Sequence, residues 1–204
     1  MIERNNLAAE QAEHELLLRE EPDLPRLQAA YALLSTNTAR GLSELEELAT
    51  GGSVLSMLYL ASAYKREPHA DPSKTEYWYK AAYEKGALNS FSGLGTLYYR
   101  QGRYKEAEKV FAAGVARNDE VSMHWLARIY IQDRSHQHDF MEIKDLLERS
   151  MTLGQIRAKN QLAFLLMRGR YGMMGIPRGV FLYLSSLVDG FRVGLRNPDD
   201  RRLW

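Results

Sequence analysis

Apolar residues recur along the chain in a pattern that returns about every 34 residues. In four copies of this pattern a leucine is followed four residues later by a tyrosine, and in a fifth copy by another leucine. These pairs are Leu27/Tyr31, Leu60/Tyr64, Leu94/Tyr98, Leu126/Tyr130 and Leu162/Leu166, with successive offsets of 33, 34, 32 and 36 residues. Since residues four apart lie on the same face of an α-helix, each pair predicts the buried stripe of one helix.

A second helix is predicted after each pair, because helical apolar spacing resumes after a short turn. The second helices are predicted at residues 42–50, 74–85, 104–117, 141–153 and 179–189. The residues that follow them are Gly51, Gly86, Asn118, Gly154 and Gly190. Glycine, and after it asparagine, best tolerates the left-handed backbone that closes many helices. The pattern therefore predicts an all-α protein of four to five helix-turn-helix repeats.

A period of this length with two helices in each repeat is typical of a solenoid. One hairpin cannot bury both of its faces, so neighbouring hairpins stack and form a continuous core. We predict a right-handed α/α superhelical solenoid at residues 24–190, with an extended concave surface. Residues 1–23 are predicted to form an N-terminal capping helix, which the prolines at 22 and 25 separate from the array. Residues 191–204 are expected to form a C-terminal cap or a docking tail.

Two stretches resemble known helical repeats. Residues 87–118 resemble a tetratricopeptide repeat, and residues 71–98 resemble the Sel-1-like repeat, a relative with a longer loop between its helices. The tetratricopeptide positions are Phe91, Leu94, Gly95, Tyr98, Ala107 and Phe111. The Sel-1-like positions are Asp71, Lys74, Trp78, Tyr79, Ala82 and Gly86. The resemblance is specific over residues 53–118, and it is weak before residue 53.

The resemblance implies an α/α superhelix that mediates protein–protein interactions and is not an enzyme. Bacterial members of the family often serve signalling, envelope or secretion machinery. The function implied is that of a non-catalytic scaffold or adaptor that binds a partner protein or peptide on its concave face. One alternative is a regulatory or accessory subunit of an enzyme, secretion or envelope-polysaccharide system. Another is a self-assembling structural protein.

In tetratricopeptide proteins the first helices of the hairpins line the concave groove. Carried over to this sequence, the groove positions are Asn89, Ser92, Thr96, Tyr99, Arg100, His124, Arg128, Gln132, Arg157, Asn160 and Arg168. The equivalents one repeat before Asn89 are Ser62, Lys65 and Arg66. The set is polar and basic, and arginine binds carboxylates through two parallel hydrogen bonds. We therefore expect an acidic peptide or the C-terminus of another protein as the ligand; the alternative is ordinary solvated surface.

The composition narrows the classes of function. The protein has no cysteine, so disulfides, thiol nucleophiles and thiolate metal sites are excluded. A net charge of +1 gives no general field that would favour nucleic acid. The sequence contains no phosphate-binding glycine loop, no HExxH and no GxSxG motif. We expect no cofactor, no nucleic-acid partner and no membrane-spanning segment, and without a signal peptide we expect a cytoplasmic protein.

Charge is distributed unevenly along the sequence. Residues 1–50 carry ten acidic and four basic side chains, whereas residues 157–204 carry nine basic and three acidic ones. Opposed charges favour head-to-tail self-association or an acidic partner at the C-terminal end, although solvated surface is the plainer interpretation. His136, His138 and Asp139 are residue types that suit zinc or nickel, but they lie in a turn with no further ligand nearby.

Overall fold

The computed structural model describes residues 14–132 and 139–196, which are predominantly helical. Residues 14–19 form a helical segment, and ten α-helices follow. In sequence order they are α1 (Leu24–Thr36), α2 (Thr38–Thr50), α3 (Val54–Ala63), α4 (Pro72–Glu84), α5 (Leu88–Arg100), α6 (Tyr104–Ala116), α7 (Glu120–Gln132), α8 (Phe140–Thr152), α9 (Ile156–Met167) and α10 (Ile176–Arg196). A single 3-10 turn, Met173–Gly175, precedes α10. No β-strand is present in the described residues.

These helices belong to two compact units. The N-terminal unit, residues 14–103, contains α1–α5, and the C-terminal unit, residues 104–196, contains α6–α10. Within each unit, consecutive helices pack on one another. The boundary between the units falls after α5, inside the third predicted hairpin. The prediction of an all-α helical repeat is confirmed.

Polar side chains fix the start of several helices by binding backbone N–H groups that have no partner inside the helix. At the start of α4, the Asp71 carboxylate accepts hydrogen bonds from the N–H groups of Ser73 and Lys74, both at 3.0 Å. Pro72 occupies the first turn, where a missing N–H costs nothing. Caps of the same kind are Asp23, Asn37, Ser53, Asp139 and Gln155. Each of these residues therefore stabilises the first turn of the helix that follows it.

One type of turn closes helices in both units. After α4, the N–H of Gly86 donates to the Tyr83 carbonyl, and the N–H of Ala87 donates to the Ala82 carbonyl. Gly86 has a φ of 79°, and the predicted left-handed residues Asn118 and Gly154 also have positive φ. The prediction that Gly51 takes the left-handed conformation was wrong. Its φ is −72°, and the left-handed residue is the neighbouring glycine at position 52.

The last helix is longer than predicted. The sequence predicts a helix end at Gly190, but α10 continues to Arg196. No atom lies within 4 Å of a Cβ built on Gly190, and the helix passes through it without a left-handed turn. Residues 191–196 of the predicted tail are therefore helical. Residues 197–204 of that tail, and residues 1–13 of the predicted capping helix, lie outside the described residues.

The core of the N-terminal unit follows the predicted stripes with one exception. Leu60, Tyr64, Leu94 and Tyr98 are all buried. Tyr31 was predicted to be buried, but it is 56% exposed, and its ring packs against Tyr59 at a centroid distance of 4.7 Å. The buried stripe of α1 instead passes from Leu27 to Ala30, three residues further on. Residues three and four positions after Leu27 both lie on the same face of the helix as Leu27.

The C-terminal unit has a core of its own. Phe111 on α6 stacks on Trp125 on α7, with the ring planes 4° apart and the centroids 6.1 Å apart. The predicted stripe residues Leu126, Leu162 and Leu166 are buried. Among the described residues, no helix is long and apolar enough to cross a membrane.

Candidate functional site

A pocket with basic side chains at its edge lies in the N-terminal unit, between the end of α3, the start of α4 and the middle of α5. Its volume is about 200 Å³. The residues that contribute its apolar surface include Ala70, Pro72, Tyr79, Gly93 and Leu97, and the polar ones include Lys65, Thr96 and Arg100. We call it the basic pocket. A cavity of this size holds one side chain and is smaller than the roughly 300–1,000 Å³ of pockets for drug-sized ligands.

The floor of the basic pocket depends on a close contact between two helices. Tyr79 on α4 is buried, and its ring lies against Gly93 on α5. A Cβ on residue 93 would come within 2.4 Å of the ring. Burial raises the pKa of the Tyr79 phenol, and the positive charge of Arg66 opposes that rise. The ring is therefore held neutral beside a cation.

Two cations, Lys65 and Arg100, line the basic pocket, and the charge of a third, Arg66, acts on Lys65. Burial, together with the positive charges of Arg100 and Arg66, lowers the pKa of Lys65. Within the part of the sequence that the structure describes, no side chain forms a hydrogen bond or an ion pair with the side chains of these three residues. Like charges that lie close together without a counter-ion attract an anion.

Other basic residues of the same unit are paired. Lys74 Nζ lies 3.0 Å from a carboxylate oxygen of Glu46 and 3.0 Å from the hydroxyl of Tyr64. Hydrogen bonds to these two groups raise the pKa of Lys74. Arg26 makes ion pairs with Glu44 and Glu47. The cations at the basic pocket thus differ from these paired cations in having no counter-ion among the described residues.

Of the residues predicted on α5, the basic pocket includes two. Thr96 and Arg100 line it, together with Lys65, which the sequence places one repeat earlier. Asn89, Ser92 and Tyr99 do not line it. The hydroxyl of Ser92 donates to the Asn89 carbonyl at 3.3 Å, and that of Thr96 to the Ser92 carbonyl at 2.6 Å. Their hydroxyl protons are thus used within the helix.

The other two residues predicted from the earlier repeat, Ser62 and Arg66, line a neighbouring groove of about 640 Å³. The rings of Tyr31 and Tyr59 contribute apolar surface to this groove. Arg66 therefore lies at the edge of the groove while its charge also acts on Lys65 in the basic pocket. This places the two cavities next to each other in the N-terminal unit.

In the C-terminal unit, the structure brings together three predicted residues from α7 and α9. His124 is 4% exposed, and its Nδ1 atom has no hydrogen-bond partner among the described residues. Burial, and then the charges of Arg157 and Arg128, lower the pKa of His124 to about 3. The guanidinium of Arg128 lies 4.9 Å from the ring centre of Trp125. His124 is therefore a neutral, buried residue, and the two arginines supply the charge here.

The remaining predicted residues are dispersed. Asn160 accepts a hydrogen bond from the hydroxyl of Ser186 on α10, so its amide oxygen faces the neighbouring helix. Gln132 is the last residue of α7, and Arg168 caps the end of α9. Both are exposed. The structure does not place these three residues in the pockets described above.

The predicted metal ligands fall mostly outside the described residues. His136 and His138 are not described, and the Asp139 carboxylate caps α8 by accepting from the N–H of Met141 at 3.2 Å. Across residues 14–132 and 139–196, no group of three or more histidine, cysteine, aspartate or glutamate side chains is placed to bind a metal ion.

The apolar part of the basic pocket was not predicted from the sequence. Tyr79 and Gly93 come from α4 and α5 and meet only when the helices pack. A signal was present in the sequence, because Gly95, one of the tetratricopeptide positions, is a small residue two positions further along the same helix, and the structure buries it. A second small residue in this helix indicates that another side chain lies against it.

Comparison with known proteins identifies the fold. No family model matches the sequence, and no curated protein matches it either. Among solved structures, a Sel1 repeat protein from Oxalobacter formigenes is similar with a TM-score of 0.69 and 18% identity, over 80% of this protein and 70% of that one. The protective antigen c5321 of uropathogenic Escherichia coli strains, which displays an SLR fold, is similar with a TM-score of 0.64 and 18% identity.

The alignment with c5321 covers 74% of this protein and only 35% of the length of c5321. At these identities the comparisons establish the architecture and not the activity. The protein has the fold of Sel1-like repeat proteins, as its sequence resemblance predicts.

Proposed function

We propose that this protein is a non-catalytic recognition scaffold that binds an acidic segment of a partner protein in the basic pocket. The observation that carries the proposal is the group of three cations, Lys65, Arg66 and Arg100, whose side chains lack a counter-ion among the described residues. A carboxylate bound between them relieves their mutual repulsion and forms charge-assisted hydrogen bonds. This makes an acidic ligand more favourable than a neutral one.

The apolar floor adds a second requirement for the ligand. Tyr79, Gly93 and Leu97 offer an apolar surface next to the cations, in a volume that suits one side chain. A peptide that carries a leucine or methionine beside carboxylates satisfies both parts of the pocket. A protein C-terminus with an apolar last residue is the simplest such ligand, because its own carboxylate lies next to that side chain.

The Sel1-like repeat fold supports a binding role. Stacked helical hairpins expose the first helix of each repeat along one continuous surface, and repeat proteins use such surfaces for recognition. The basic pocket includes Tyr64 and Lys65, which follow directly after α3, together with four residues of α5. Helices α3 and α5 are the first helices of two neighbouring repeats. A partner segment that binds in this pocket is therefore recognised by residues of more than one repeat.

The test is a binding titration with a defined probe. The probe is a fluorescein-labelled decapeptide that ends in Glu-Glu-Leu with a free carboxylate, compared with the same peptide in which both glutamates are glutamine. Lys65→Glu and Arg100→Glu are each expected to weaken binding of the acidic peptide at least about tenfold. The matched control is Lys85→Glu, an exposed charge reversal at the end of α4 that does not line the pocket.

Two results would overturn the proposal. One is equal binding of the acidic and neutral peptides by the wild-type protein, and the other is unchanged affinity in both charge reversals.

The double variant Arg128→Glu/Arg168→Glu tests the predicted surface of the C-terminal unit separately. Capture from a cell extract then identifies the partner. A captured enzyme whose activity changes when the purified protein is added supports the accessory-subunit alternative over a passive adaptor.

A further inference from the structure

The outward face of α10 is apolar along most of its length. Seven large apolar side chains on this helix are between 44% and 72% exposed. They are Val180, Phe181, Leu184, Leu187, Val188, Phe191 and Leu195. The opposite face of α10 is used inside the C-terminal unit, where Leu182 is buried, Ser186 bonds to Asn160, and Asp189 makes an ion pair with Lys159. The outward residues are thus not needed to hold α10 in place.

Five of the seven follow the spacing of a coiled-coil seam. Phe181, Leu184, Val188, Phe191 and Leu195 are separated by three, four, three and four residues. This is the alternation of a and d positions over two heptads, which presents one narrow stripe to a partner helix. We call these five residues the α10 seam. Val180 and Leu187 lie beside it and widen it on one side.

The exposed apolar area suits a protein interface. The seven side chains together expose on the order of 600 Å², at the upper limit of the largest patch on a typical monomer. Each partner of a standard-size interface contributes about 800 Å². The α10 face with its polar rim is therefore of the size that one side of a dimer requires.

The order of side chains along the seam identifies the occupant. In an antiparallel pair, each a position packs beside a d position of the second copy. With the two-fold axis between Val188 and Phe191, Val188 lies beside Phe191 of the second copy, and Leu184 lies beside its Leu195. Each of these layers then combines one large and one small side chain, or two of medium size. A parallel pair instead places phenylalanine on phenylalanine. The antiparallel arrangement fills the interface evenly, as close packing requires.

The rim of the seam is compatible with the same arrangement. Ser185 and Arg192 occupy the e positions, and in an antiparallel pair the e positions of the two helices face each other. Arg192 then lies opposite Ser185 of the second copy and not opposite another arginine. These e positions therefore bring no like charges together across the two-fold axis.

We propose that the protein forms a homodimer in which the α10 seams of two copies pair antiparallel about a two-fold axis between Val188 and Phe191. This interface is isologous, because the same surface is used on both copies. It lies on the C-terminal unit and does not depend on peptide binding by the basic pocket. It also differs from association through opposed end charges, because it requires apolar contact and persists at high salt.

Sedimentation equilibrium of the full-length protein across a range of concentrations tests the proposal. The wild-type protein is expected to reach twice its monomer mass in a high-salt buffer. Val188→Asp places two carboxylates close to the axis, each against Phe191 of the other copy, and it is expected to raise the dissociation constant at least about tenfold. The control is Met174→Asp, which puts the same charge on a residue that is 95% exposed and outside the seam. Helical content measured by circular dichroism shows that each variant is folded.

Single cysteines determine the direction of pairing, because the protein has none of its own. With a short bismaleimide cross-linker, Val188→Cys is expected to link to itself. Phe181→Cys alone is not expected to link, because residue 181 of each copy lies about 25 Å from its equivalent in an antiparallel pair. Leu184→Cys mixed with Leu195→Cys is expected to link.

Three outcomes would overturn the proposal. The first is a monomer at all concentrations, including one that captures a different protein through the seam. The second is a dimer with the same dissociation constant in Val188→Asp. The third is efficient linkage of Phe181→Cys to itself, which would indicate parallel pairing. Loss of peptide binding in the pocket variants with an intact dimer would leave this proposal in place.

Discussion

The ring of Tyr79 lies so close to Gly93 that any other residue at position 93 would place its Cβ within 2.4 Å of that ring. The two residues belong to α4 and α5, and their contact forms the floor of the basic pocket. Because both residues line the pocket, a larger residue at 93 changes the space proposed for the ligand.

We expect Gly93→Ala to lower the free energy of unfolding by about 1 kcal/mol. Overpacking a core contact costs about 1–3 kcal/mol, and the higher helix propensity of alanine offsets about 1 kcal/mol of that cost. In a Tyr79→Ala background the same substitution is expected to stabilise, because only the propensity term remains. Urea unfolding of the four proteins in this double-mutant cycle measures the change of sign. A stabilising effect in both backgrounds would show that the contact is not tight.

The Glu76 carboxylate links α4 to the segment that follows α5. It lies 2.8 Å from Arg103 Nη1 and 2.7 Å from Lys80 Nζ. Burial opposes its ionisation, but the hydrogen bonds from Arg103 and Lys80 outweigh this effect and lower the pKa of Glu76 to about 2. The carboxylate is thus charged in the folded protein at pH values where it is protonated in the unfolded state.

This difference in the ionisation of Glu76 predicts a range of acidic pH over which the free energy of unfolding falls. The pKa of Glu76 is lower in the folded state than its ordinary value of 4.5. Its contribution to stability is therefore complete above pH 4.5 and is lost as the pH falls towards 2, by about 2 kcal/mol at pH 3. The stability difference between wild type and Glu76→Gln, measured by urea unfolding, is expected to shrink over this range. Glu84→Gln, at an exposed position of the same helix, is the control and should show no such trend.

The burial of His124 predicts a second pH range, higher than that of Glu76, over which the stability of the protein changes. This residue is neutral in the folded protein, with a pKa of about 3, whereas an unfolded histidine titrates near its ordinary value of 6.5. As the pH falls below 6.5, protonation favours the unfolded state, so stability falls by about 2 kcal/mol between pH 7.5 and 5. We expect His124→Phe to remove this dependence. The exposed His69 supplies the control His69→Asn, which should retain the wild-type profile. A wild-type profile that is flat above pH 5 would contradict the burial of a neutral His124.

The helices and their repeat were predictable because they depend on local spacing. Apolar residues four apart define a helix face whatever lies against it, and five copies of one pattern fix the number of hairpins. The exposure of Tyr31 was not predictable, because it depends on which of two nearby positions, Ala30 or Tyr31, meets the next helix. The same limit applies to His124, whose helix position suggested a surface residue while packing buries it.

The site was predictable only in part. Arg66 and Arg100 occupy equivalent places in neighbouring repeats, with Lys65 next to Arg66 in the sequence. Stacking such repeats brings equivalent places together, so sequence reasoning placed these three residues on one surface. Their lack of a counter-ion among the described residues could not be predicted, because it depends on which carboxylates reach which cations. Glu46 pairs with Lys74 and Glu76 with Arg103, which are distant in sequence and meet only in the folded unit.

Two glycines of the C-terminal unit differ in position, one inside a helix and the other just after a helix end. Gly190 lies inside α10 with open space around it, whereas Gly154 follows α8 with a φ of 101°. Gly190→Ala is therefore expected to stabilise the C-terminal unit by about 0.5–1 kcal/mol, because alanine has the higher helix propensity. Gly154→Ala is expected to destabilise it by about 1 kcal/mol or more, because a Cβ strains the left-handed backbone. Urea unfolding followed by far-UV circular dichroism, which reports helical content, compares both variants with wild type. If Gly190→Ala destabilised as Gly154→Ala does, the helix would end at residue 190, and the α10 seam would be interrupted before Phe191.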